Sequence, residues 1–131
     1  GLTNGATPLE MAAAYGAIAN DGVYIEPTFY TKVVDGNGNT VFEPKQESRT
    51  VMSASAAYVV KEVLTQPVKS GTSTTLAMSG MSVAAKTGTT NNDYDRWMCG
   101  FTPYYSAAVW YGYDKSETVS GWSLSPAGQR W

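Results

Sequence analysis

The sequence predicts an α+β domain, an antiparallel sheet packed with helices. Three observations predict it. Two alanine- and valine-rich stretches begin on helix start signals; three strand-like runs crowd into residues 83–113; and the connections between those runs are too short for a crossover.

The elements follow in order. Thr7-Pro8-Leu9-Glu10 is a capping box with proline at the first helical position, so a helix is expected from Pro8 to Asn20, with Gly22 as its left-handed stop. Apolar residues surround most of that helix, which implies burial on several sides. Strands are expected at Val23–Ile25 and, past Pro27, at Phe29–Val34. The turn Asp35-Gly36-Asn37-Gly38-Asn39 returns the chain through Thr40-Val41-Phe42. A second helix is expected to start at Ser53 and stop before Pro67. Ser70 to Thr75 is small and polar, with no structure specified. Strands then span Val83–Thr90, Trp97–Phe101 and Ser106–Tyr113. Ser125-Pro126 opens a further helix with no room to continue, so the 131 residues are expected to stop inside a single, larger domain.

Composition removes whole classes of chemistry. With 43% hydrophobic residues a core is available, and with 15% charged residues and a net charge of −2 there is no basic field for a nucleic acid. No histidine is present, which excludes Ser-His-Asp and Cys-His catalysis. One cysteine, Cys99, lies in the apolar run Trp97-Met98-Cys99-Gly100-Phe101 and reads as a buried structural thiol. The scattered carboxylates Glu43, Glu47 and Glu117 suggest no metal site, and no cofactor is expected. No stretch approaches the roughly 18 apolar residues of a membrane span, so any membrane attachment would run through an anchor outside this sequence.

Lys86-Thr87-Gly88-Thr89 brings a cation, two hydroxyls and a bare backbone together on one strand. That set suits an extended substrate ending in a carboxylate. The ammonium attracts the anion, the hydroxyls add hydrogen bonds, and Gly88 lets a peptide approach the strand. A charge-assisted bond of this kind contributes about 1.5–3 kcal/mol. Alternation puts Lys86 and Gly88 on one face and the threonines on the other, so all four can act together only along a twisted edge. Taken alone the tetrapeptide equally fits a solvated lysine among β-branched neighbours. Trp97, Trp110, Tyr104, Tyr105, Tyr111 and Tyr113 read as core and sheet packing rather than a binding face. Asp95 reads either as a turn carboxylate or as a residue orienting the strand after the turn.

The surroundings narrow the choice. Val83-Ala84-Ala85-Lys86-Thr87-Gly88-Thr89-Thr90-Asn91 is followed by Asp95-Arg96-Trp97-Met98-Cys99-Gly100-Phe101-Thr102-Pro103 and by Val109-Trp110-Tyr111-Gly112-Tyr113-Asp114. This order resembles the C-terminal half of the transpeptidase domain of bifunctional (class A) penicillin-binding proteins. Gly5-Ala6-Thr7-Pro8-Leu9-Glu10-Met11-Ala12 with Ala19-Asn20-Asp21-Gly22 resembles the helix after that family's middle motif, and Val68-Lys69-Ser70-Gly71-Thr72 the segment before its third.

The resemblance implies a partial β-lactamase/transpeptidase-like fold and specific roles. Lys86 and Thr89 would be catalytic; Lys86, Thr87, Gly88 and Thr89 would bind substrate. Lys86 supplies positive potential, Thr87 and Thr89 hold the terminal carboxylate of a stem peptide or β-lactam, and the Thr89 N–H is one oxyanion donor, whose loss would cost about 3–4 kcal/mol of transition-state stabilisation. Ala85 stands where the family has glycine, a methyl that could narrow the approach. The partners implied are peptidoglycan stem peptides, β-lactams and the missing N-terminal half of the domain, or a second copy in its absence. The site implied is the extracytoplasmic face of the bacterial membrane.

The nucleophile is absent from this stretch. The residues three before the lysines are Phe29, Phe42, Tyr58, Gln66, Val83 and Gly112, so the sequence holds no Ser-x-x-Lys, and it holds no Ser-x-Asn. The fragment is therefore expected to be inactive alone. A non-catalytic β-lactam-sensing module of the same fold, and a structural domain in which the Lys-Thr-Gly run is coincidental, are the competing readings.

Overall fold

The computed structural model describes residues 5–119. Helix α1 spans Pro8–Ala19 and starts as the capping box requires: Thr7 Oγ1 accepts the Glu10 N–H at 3.2 Å, and the Glu10 carboxylate accepts the Thr7 N–H at 2.7 Å. The Thr7 main-chain N–H and, after it, the Thr7 hydroxyl, which donates to the same carboxylate at 2.9 Å, hold the Glu10 carboxyl below its ordinary pKa. The helix ends where Gly22, at φ +87°, donates back to Ala17 O. A Cβ on Gly22 would lie 2.3 Å from Met52 O, so glycine is also needed for the close approach. Only Ala17 is fully buried on α1, while most of its girth is half-covered.

Two short antiparallel ribbons follow. Strand β1 (Val23–Ile25) pairs with β4 (Ser48–Thr50), and β2 (Val33–Val34) with β3 (Thr40–Phe42) across a bulge. The Asp35 carboxylate closes the turn by accepting the Asn37 and Asn39 N–H groups at 2.9 and 2.8 Å. The expected strand from Phe29 is cut to Val33–Val34, with Phe29 87% exposed. Pro27 lacks a donor, and among the described residues no partner strand covers the intervening ones. Strand β4 has no period-2 apolar pattern to mark it in the sequence; pairing with β1 creates it.

Helix α2 spans Ala54–Ser70, capped by Ser53 Oγ on the Ala56 N–H. The expected stop before Pro67 is corrected: proline sits in the last turn, where one missing hydrogen bond is tolerable. The stop comes at Gly71. A Cβ there would lie 2.7 Å from Pro67 Cα, and both Gly71 N–H and Ser73 N–H bond to Pro67 O. Ser73 is fully buried and a 3₁₀ turn follows at Thr74–Leu76.

The organising element is a three-stranded antiparallel sheet in the order β5-β6-β7, with β5 at Ala84–Thr89, β6 at Asp95–Phe101 and β7 at Ser106–Gly112. On one face Ala85, Met98 and Val109 meet Val83, Leu76 and Val68 of α2 to form the core. On the other face Ser106 lies within reach of Gly16 of α1, and Cys99 lies near Tyr15. Strand and helix meet as the α+β prediction requires. Among the described residues no helix is long and apolar enough to cross a membrane. The helix start expected at Ser125 lies outside the described residues.

Candidate functional site

Strand β5 carries the candidate residues, and its register decides what they can reach. One step beyond the Thr89–Arg96 pair, the Thr90 N–H donates to Asp95 O at 3.1 Å. Antiparallel pairs alternate between hydrogen-bonded and open. Lys86 and Gly88 therefore bond through their main chain to β6, while Thr87 and Thr89 turn their N–H and C=O outward. No strand pairs with that outer edge among the described residues.

Side chains alternate across the faces. Lys86 and Gly88 are on the α1 face, Ala85, Thr87 and Thr89 on the α2 face. The long Lys86 side chain returns to the edge, where Nζ donates to Thr87 O at 2.7 Å. The Thr87 hydroxyl shares a hydrogen bond of 3.1 Å with Thr72 Oγ1, from the segment after α2. Gly88 is close-packed: a Cβ would lie 3.3 Å from Trp97 Cβ. Thr89 is exposed at the end of the strand. Ala85, opposite Gly100, has no exposed surface and sits in the core. Its methyl fills the space under α2 and does not stand at the edge.

Beyond Thr89 the chain turns through Asn91–Asp93, with Asn92 and Asp93 at φ +62° and +56°. Asp95 closes that turn. Its N–H donates to Thr90 Oγ1 at 2.9 Å, Thr90 Oγ1 donates to Oδ2 at 3.1 Å, and Trp110 Nε1 donates to Oδ1 at 2.9 Å. An open groove of about 730 Å³ runs off this end of β5, between residues 5–8 at the start of α1 and residues 89–92 at the end of β5 and in its turn, with Tyr94, Asp95, Trp97 and Trp110 in its wall. Lys86, Thr87 and Gly88 are not part of that wall.

Several assignments change. The aromatics divide: Tyr104 and Tyr105 are 75% and 80% exposed and not core, while Trp97 and Trp110 pair across the β6–β7 ladder, as sheet packing requires, and also line the groove. Thr72 had no local signal as a partner of Thr87, since the contact spans fifteen positions. Arg96, directly across from Thr89, places a mostly buried cation 3.8 Å from Asp93. Cys99 is buried, and burial raises its pKa, as expected for a structural thiol. Burial foremost, with Cys99 second, raises that of Tyr15. Among the described residues no cluster of three or more His, Cys, Asp or Glu could hold a metal.

The family profile for the penicillin-binding protein transpeptidase domain matches residues 1–129. The chain belongs to that family. Penicillin-binding protein 1A of Clostridium botulinum is 46% identical over 131 aligned residues, which cover 99% of this chain and 16% of that protein. The D,D-transpeptidase domain of a peptidoglycan glycosyltransferase from Eggerthella lenta superposes with a TM-score of 0.68 at 37% identity, covering 80% of this chain and 26% of that one. Penicillin-binding protein 1A of Haemophilus influenzae superposes with a TM-score of 0.80 at 25% identity, over 88% of this chain and 23% of that one. The chain thus spans about a sixth of the length of the clostridial relative. Within this penicillin-binding transpeptidase fold, β5 is the strand that carries Lys86-Thr87-Gly88-Thr89.

Proposed function

We propose that this chain is the substrate-holding wall of a peptidoglycan D,D-transpeptidase, which transfers a stem-peptide acyl group through a serine that lies outside these residues. The observation that carries the reading is the free edge of β5. Outward main-chain groups at Thr87 and Thr89 suit a peptide laid alongside as an extra strand. The Lys86 ammonium sits at that edge, and Arg96 adds a second cation beside Thr89.

In the reaction, Lys86 draws the terminal carboxylate in, and the Thr87 and Thr89 hydroxyls hydrogen-bond it. The Thr89 N–H donates to the oxygen that becomes an oxyanion when the serine adds to the carbonyl. Collapse of that intermediate releases D-alanine; an amine from a second strand then takes the acyl group. A β-lactam would enter by the same contacts and stay attached, its ring opened. The sequence holds no Ser-x-x-Lys, so this chain by itself supplies positioning and half of an oxyanion hole. The parent protein works at the extracytoplasmic face of the membrane, on peptidoglycan, and its remaining part of the transpeptidase domain faces the β5 edge across the cleft that the peptide enters. A sensing module would use the same edge; no observation favours it.

Labelling with a fluorescent penicillin tests the proposal. The full-length parent should label covalently and the isolated chain should not. Acylation of the isolated chain would overturn the account of the missing nucleophile, and a parent that fails to label would overturn the transpeptidase reading.

A further inference from the structure

The carboxylate of Asp95 makes two side-chain bonds that a simple turn closure would not require. In a regular ladder the Asp95 N–H would bond to Thr90 O. Here the Thr90 hydroxyl takes that N–H, and Thr90 O is diverted to the Asp93 N–H at 3.1 Å. The hydroxyl accepts on one side and donates to Oδ2 on the other, so its rotamer is fixed, and its donor goes to a charged acceptor. The second carboxylate oxygen is held by the Trp110 indole. The turn it closes contains two non-glycine residues at positive φ, a conformation that relaxes unless its ends are held.

The indole reaches Asp95 because of a gap. Gly112 lies directly opposite Asp95 in the β6–β7 pairing, and a Cβ there would be 2.6 Å from Trp110 Cζ2. Trp110 thus lies across a bare Cα to reach the carboxylate. Thr89 is fixed from both sides: through Gly88, bonded into the ladder, and through Thr90, clamped to Asp95.

We infer that Asp95 is a positioning residue for the oxyanion donor: braced by Trp110 across Gly112, it holds Thr90 and so sets the direction in which Thr89 presents its N–H. This rests on the proposed function above. The role is distinct from substrate binding, because Asp95 acts through Thr90.

The test uses the full-length parent and stopped-flow acylation by a penicillin, separating the encounter Kd from the first-order acylation rate constant. Asp95→Asn, Trp110→Phe and Thr90→Val should slow acylation by about 10- to 100-fold, the scale of a misplaced or lost oxyanion donor, with Kd changed less than about threefold. Thr90→Ser keeps the hydroxyl and should restore the rate. Gly112→Ala, which displaces the indole without touching β5, should slow acylation as Trp110→Phe does. If Asp95→Asn, Trp110→Phe and Thr90→Val leave the acylation rate unchanged, or if rate, binding affinity and Tm all fall together, the inference is overturned. Lys86→Ala separates the two ideas. If it acylates at the wild-type rate the functional reading fails; if it is slow while the Asp95, Trp110 and Thr90 variants are normal, only the positioning role fails.

Discussion

The two halves of strand β5 differ in what they do for the molecule. Ala84 and Ala85, with Val83 just before them, are buried, and Val83 and Ala85 pack with Met98, Val68 and Leu76; Lys86 to Thr89 lie half-covered or exposed along a free edge. One continuous ladder to β6 runs through both. The buried half anchors the strand, and the rigidity of the ladder carries that anchoring to the half that presents polar groups. A polar edge built this way needs little core of its own, since its geometry is fixed by neighbours a few residues away.

The contrast can be broken most sharply by one substitution in each half. Met98→Ala removes a side chain with 1% exposure and should destabilise the fold by about 2–5 kcal/mol, seen as a large drop in Tm. Lys86→Ala should leave stability within about 0.5 kcal/mol, yet abolish most penicillin labelling of the full-length parent. If Lys86→Ala lowers Tm as much as Met98→Ala does, the division between anchoring and presenting halves is wrong.

A smaller effect sharpens the boundary between them. Ala85→Gly restores the family's residue next to Lys86, but the methyl it removes lies in the core. It should cost about 1 kcal/mol through the lost methyl and the added chain entropy, while the penicillin acylation rate stays the same. Faster acylation in the glycine variant would show that the methyl reaches the edge after all.

The smallest effect is a pH dependence. Burial raises the folded-state pKa of Cys99, so the native state keeps the thiol protonated after the unfolded chain has begun to ionise. The contribution is present below the unfolded thiol pKa of about 8.5 and is lost as pH rises above it towards the folded value. Stability should therefore decline from about pH 8.5 upward, and Cys99→Ala should flatten that part of the profile. Alkylation of Cys99 under native conditions, mapped by mass spectrometry, should be far slower than in denaturant; equal rates would place the thiol at the surface.

Much of this was legible locally. Thr7-Pro8-Leu9-Glu10 specified the start of α1 through bonds made within four residues, Ser53 did the same for α2, and the three late runs gave β5, β6 and β7 nearly to the residue. Elements made by partners were less readable. Ser48–Thr50 becomes a strand only because Val23–Ile25 lies beside it, and Pro67 does not end α2 because the turn to Gly71 and Ser73 uses its carbonyl. The aromatics misled for a related reason: Tyr104 and Tyr105 fall in the turn between β6 and β7, 75% and 80% exposed, and Trp110 lies on the outer strand β7, so ring size alone did not mark them as core.

For the site, the sequence by itself determined the chemical inventory: an ammonium, hydroxyls and a bare glycine on one strand, no histidine, no Ser-x-x-Lys, and the order of motifs that marks the family. Those are properties of residue type and spacing along the chain. Only the tertiary structure decided that β5 is an edge, that Thr87 and Thr89 turn their main-chain groups outward, that Ala85 points into the core, and that Asp95 joins Thr90 to Trp110. Each of these depends on which strand pairs with which and in what register, and a shift of one residue would reverse every direction, which no local pattern in the tetrapeptide can specify.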